Sequence, residues 1–79
     1  MLETEVEVEE TRQNDIDEIG FAAGKVWCFL DQEGPASLNR LTTNLDLSRE
    51  LAMQAVGWLA REDKIVFEQA VRGRVIRLK

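Results

Sequence analysis

Three features of the 79-residue chain predict an α+β domain of three helices followed by a two-stranded β-hairpin. Residues 47–65 read as a capped amphipathic helix that ends in a polar turn and runs straight into a strand. Residues 36–45 read as a second, shorter helix just upstream, and residues 65–78 as a hairpin just downstream. Helix, turn, helix, hairpin is the chain order of a winged helix-turn-helix, a scaffold that places one helix in a DNA groove.

The first helix is expected to start near Asn14 or Asp15, which can cap free amides, and Asp15, Asp17 and Glu18 suit its positive first turn. Ile16, Ile19, Ala23, Val26, Trp27 and Leu30 recur at three- and four-residue spacing, which assigns them to one inward face. Gly20 and Gly24 lie four apart, and each costs about 1 kcal/mol in a helix interior relative to alanine. Close approach of another helix would offset that cost. The partner is either Gly57 and Ala60 of the same chain or a second chain. Gly34-Pro35 ends the helix, because glycine accepts a left-handed cap and proline cannot continue.

Ser37 is placed to cap the second helix, with Leu38 and Leu41 inward and Thr42, Thr43 and Asn44 fraying its end. Leu45-Asp46-Leu47 forms the turn. Ser48 caps the third helix, whose inward stripe is Ala52, Ala55, Val56 and Leu59, flanked by Leu51 and Trp58. Alternation after Asp63-Lys64 puts Ile65 and Phe67 on the half-buried side of a strand. Val71-Arg72-Gly73 turns the chain. The return strand sets Ile76 and Leu78 on one side and Arg77 on the other.

Charge is distributed unevenly about the net of −5. Residues 1–18 hold eight acids against Arg12, and residues 64–79 hold five bases against Glu68. The front is acidic, the hairpin basic and the middle close to neutral, which points to an acidic tail and a basic contact surface. Residues 1–13 alternate acids with Leu2, Thr4, Val6 and Val8. A strand fits that period, but the charge favours a mobile tail ahead of a domain over 14–79.

Composition also narrows the function classes. A single cysteine, Cys28, allows no internal disulfide, and no signal peptide or membrane-length apolar run is present, so a cytoplasmic setting is expected. With no histidine there is no zinc ligand cluster and no usual nucleophile–base pair, and no Gly-rich phosphate loop occurs. No enzymatic activity, cofactor, metal or small-molecule substrate is expected.

These residues resemble a small bacterial and archaeal winged helix-turn-helix family of unknown function. The resemblance rests on Ile19-Gly20, Ala23 to Trp27, Leu45-Asp46-Leu47-Ser48 and Gly57 to Ile65, and covers about residues 16–79. It implies a winged fold, self-association and a nucleic-acid role, and brings no catalytic or cofactor residues.

Two function classes follow. The first is a transcription-associated module that binds double-stranded DNA. Its third helix would present Arg49, Gln54 and Arg61, and its hairpin Lys64, Arg72, Arg74 and Arg77, with Lys79 on the flank. Arg72 and Arg74 flank Gly73 at the tip, where two guanidinium forks suit phosphate oxygens. Glu50 and Glu62 oppose the reading by repelling phosphates, and the same charges could simply be a solvated face or guard a hairpin edge. The second class is a homodimer or protein-interaction module without nucleic acid, built on Gly20, Gly24 and Trp58. Trp27 and Trp58 are read as core or near-core residues before stacking platforms.

Overall fold

The computed structural model describes residues 13–79 of the chain. Its elements are α1 (Gln13–Glu33), α2 (Leu38–Leu45), α3 (Arg49–Arg61), β1 (Ile65–Ala70) and β2 (Gly73–Leu78). The acidic segment read as a tail lies outside the described residues, apart from Gln13, which opens α1.

Local chemistry sets the helix ends. The Ser37 hydroxyl accepts from the Arg40 amide at 3.1 Å, and the Ser48 hydroxyl from the Leu51 amide at 3.0 Å. Each satisfies one of the amides that a helix start leaves unpaired. Between these caps, Asp46 takes a left-handed conformation (φ 54°), and its N–H donates to the Thr42 carbonyl. The end of α2 does not fray as expected. Thr42 Oγ1 donates to the Asn39 carbonyl at 2.8 Å and Asn44 Nδ2 to the Arg40 carbonyl at 2.9 Å, bonds that hold the last turn.

α1 packs mainly on α3, and α2 on α3. The core joins Ala22, Ala23, Val26 and Leu30 of α1 to Leu41 of α2, to Ala55, Val56 and Leu59 of α3, and to Ile65 and Ile76 of the hairpin. Leu41 and Val26 are the largest side chains fully removed from water. The alanines on both sides of the α1–α3 contact let two backbones approach closely.

The hairpin is antiparallel, with Ile65 opposite Leu78 and Phe67 opposite Ile76. Ala36 corrects the predicted start of the second helix. It does not begin α2 but bridges β2, exchanging hydrogen bonds with Ile76 at 3.0 and 2.8 Å. This short third rung ties the wing to the helices. The Lys79 N–H donates to the Lys64 carbonyl at 3.0 Å, which fixes the parity of the ladder. Residues 64, 66, 68 and 70 therefore bond β2, while 65, 67 and 69 turn their backbone groups outward. Among the described residues β1 has no strand on that edge.

Three burial expectations need correction. Ile16 and Trp27 are 48% and 38% exposed, while Ala22 and Phe29 help fill the place assigned to them. Phe67 is 43% exposed, because the core under the wing stops at Ile65 and Ile76. Gly20 packs on neither Gly57 nor Ala60: a Cβ there would meet the Trp58 ring at 3.6 Å, and one at Gly24 or Gly57 would meet nothing within 4 Å.

Candidate nucleic-acid and protein interfaces

Two surfaces gather the residues singled out from the sequence. The first is a groove between α3 and the wing. Leu38, Met53, Val56, Gly57, Phe67 and Ile76 line about 270 Å³ of largely apolar space, with Arg74 among them. Strand parity sets Arg74 on the same hairpin face as Phe67, and its guanidinium lies 4.6 Å from the Phe67 ring centroid. That stacking holds a delocalised cation at the groove without neutralising it. Arg49 donates to Asn39 Oδ1 at 3.0 Å and stands one helical turn before Met53 on α3, outside the residues that line the groove. Arg72 stands exposed in the turn at the wing tip, and Arg61 is exposed at the end of α3. Neither has an ion-pair partner among the described residues.

The other basic residues lie elsewhere. Arg77 is three positions from Arg74, so it occupies the opposite face of the hairpin, where its Nε meets Glu68 at 2.7 Å. Lys64 pairs with Glu62 at 3.5 Å and Lys79 with Asp63 at 2.6 Å. These exposed pairs contribute little to stability and can exchange partners, but they set an acid against three of the five cations over residues 64–79. Gln54 lies apart from the wing groove, in a depression with Glu50 and with Asp15 and Glu18 of α1. The acids there make the α1 side of α3 unfavourable for phosphate. The structure therefore brings together Arg74 and the exposed Met53 at the groove, with Arg49 one helical turn before Met53 on α3, and separates them from Gln54 and Arg77.

The second surface follows α1. Gly20, Gly24 and Trp58 line one groove with Trp27, Cys28 and Lys64. On the other side of the same glycines, Phe21 and Phe29 line a second depression. Phe21 is 75% exposed. The three residues selected as an interface thus share one face, bordered by Trp27 and Phe21, neither of which was expected to be an exposed wall. Helical spacing signalled it: Phe21 and Cys28 fall a full two turns apart, opposite the buried Ala22–Val26–Leu30 stripe.

Among the described residues there is no group of three or more acidic, cysteine or histidine side chains able to hold a metal. None of their helices is long and apolar enough to cross a membrane.

Two capped helices joined by a tight turn, with an antiparallel wing bridged back to Ala36, define a winged helix-turn-helix domain. The chain belongs to the family described as "Winged helix-turn-helix domain (DUF2582)", whose family model matches residues 11–78. It is similar to a protein from Bacteroides thetaiotaomicron whose structure was solved by NMR in solution. The two are 39% identical with a TM-score of 0.73, over 81% of this chain and 78% of the other. No curated protein matches the chain.

Proposed function

We propose that the domain is a transcription-associated module that binds double-stranded DNA through α3 and the wing. The observation that supports this most is Arg74 stacked on Phe67 at a groove that Met53 also lines, with Arg49 one turn before Met53, Arg72 at the wing tip and Arg61 at the end of α3. Four cations arranged along a helix and its wing can follow a phosphate backbone, and Met53 and Phe67 can rest against sugars and base edges between them. Lys64 and Arg77 contribute by field, after exchange of Glu62 and Glu68 for phosphate.

Four phosphate contacts give a slope of log K against log salt of about −3.6, and removing two gives about −1.8. An Arg72→Ala/Arg74→Ala double variant is therefore expected to bind random-sequence duplex at least about tenfold more weakly at low salt, with half the salt slope. Fluorescence anisotropy on a labelled duplex checks both. Equal affinity and slope for parent and variant would remove the wing from the binding surface.

A second reading, self-association through α1, is favoured by one specific observation: Gly24 opens onto solvent between exposed Phe21 and Trp27. As Gly24 serves no packing within the chain, Gly24→Gln should raise the stability of the monomer by about 0.5–1 kcal/mol. It should also block a close second helix, so sedimentation equilibrium is expected to show a dimer for the parent and a monomer for the variant. A parent that stays monomeric at high concentration contradicts this reading.

A further inference from the structure

We infer that the groove between α3 and the wing binds a small apolar carboxylate, an aromatic or branched-chain acid, with its anionic end on Arg74. Val56 and Ile76 form a buried apolar floor, and Met53 and Phe67 stand 57% and 43% exposed above it. Arg74 is the one charged residue that lines this space, and no acid among the described residues pairs with it. A concave apolar site with a single polar anchor is the usual make-up of a small-ligand pocket.

The stacking on Phe67 defines the seat of the anion. With the guanidinium over the ring, 4.6 Å from its centroid, one face of the fork is covered and the N–H groups around its edge are left to donate. A planar carboxylate meets such a fork with two parallel hydrogen bonds. An apolar body attached to that carboxylate can then lie along Phe67 and Met53, over the floor. The charge also excludes the opposite class of ligand, since no acid lines the groove to hold a cation.

Gly57 supplies a second, independent observation. It sits inside α3 and lines the groove, where a Cβ would meet nothing within 4 Å. A glycine inside a helix is destabilising relative to alanine. Among the described residues, neither close packing nor a left-handed backbone requires one at this point. Its effect is to leave the groove wall bare, as an occupant needs and the chain itself does not. The groove offers about 270 Å³. A closed apolar cavity of about 150 Å³ takes a benzene, so a ring with a short acidic side chain fits here.

This site does not depend on the DNA-binding reading, which draws on Arg74 for phosphate. The test is a titration of cinnamate into full-length protein labelled with ¹⁵N and with ¹³C at the methionine methyls, neutral cinnamamide serving as the matched probe. Cinnamate is expected to shift the Met53 methyl and the amides of residues 57, 67 and 74, and to bind about tenfold more tightly than cinnamamide. Arg74→Gln should bring the two probes to equal affinity. Gly57→Leu should fill the groove and remove the binding of both, while a raised melting temperature shows that the domain remains folded. Absence of shifts at these residues in millimolar cinnamate overturns the proposal. Equal affinity of the parent for the two probes, or unchanged cinnamate binding by Gly57→Leu, overturns it as well.

Discussion

Leu41→Ala lowers the free energy of unfolding by about 3 kcal/mol, the cost of a buried leucine truncated where the surroundings cannot close. Leu41 is fully buried and joins α2 to the common core of α1, α3 and the hairpin. The cavity would therefore open where all the elements meet, and no surface loop could relax into it. Small domains have only about 5–15 kcal/mol in total, so a large part of the stability is lost. Urea denaturation followed by tryptophan fluorescence gives the number. Met53→Ala is the control: with Met53 more than half exposed, its loss is expected to stay under about 1 kcal/mol.

Ala55→Leu destabilises by the opposite route, by about 2–3 kcal/mol. Ala55 is fully buried in the cluster that includes Ala22 and Ala23 of α1, where small side chains permit the α1–α3 approach. Three extra carbons have no space there, and they must either push α1 outward or force strained rotamers. The same denaturation experiment reads this cost. A neutral result would mean that α1 rests on α3 with slack.

The parts legible in the sequence are those decided by local chemistry. Ser37 and Ser48 announce their helices because a cap needs only its own hydroxyl and the amide three residues on. The Ala52, Ala55, Val56 and Leu59 stripe was readable because a helix repeats its inward face often enough to count. Ala36 was not, since one bridge to Ile76 leaves no period to detect and Pro35 resembles an ordinary helix breaker.

Phe67 shows a different limit. Alternation assigns a residue to a face, but only the tertiary arrangement says whether anything covers that face, and the core stops at Ile65 and Ile76. Trp27 fails in the same way on α1, where the inward stripe is narrower than its apolar residues suggest. For the candidate interfaces, the pairing of Gly20 with Gly24 was available from helical spacing, while Trp58 joins them only through the packing of α3 on α1. The division of the wing arginines was available too: Arg74 and Arg77 differ by an odd number and must face opposite ways along a strand. The pairing of Arg49 with Asn39 was not, since it depends on how α2 crosses α3.

The charge of the folded surface follows from the same geometry. Acids at Glu68, Glu62 and Asp63 hold Arg77, Lys64 and Lys79, while Arg74 rests on an aromatic ring and keeps its charge available. A DNA-binding surface here is therefore narrow, running from Arg49 along the groove to Arg72, with little contribution from the outer face of the hairpin.

Titration of random-sequence duplex DNA into ¹⁵N-labelled full-length protein at two salt concentrations tests that account most directly. Salt-sensitive amide shifts should cluster at residues 49–53, 61 and 72–74, with smaller shifts around Glu68 and Arg77 and the least along the Phe21–Gly24–Cys28 face of α1. An absence of shifts at low salt, or shifts confined to α1, would contradict DNA binding through α3 and the wing.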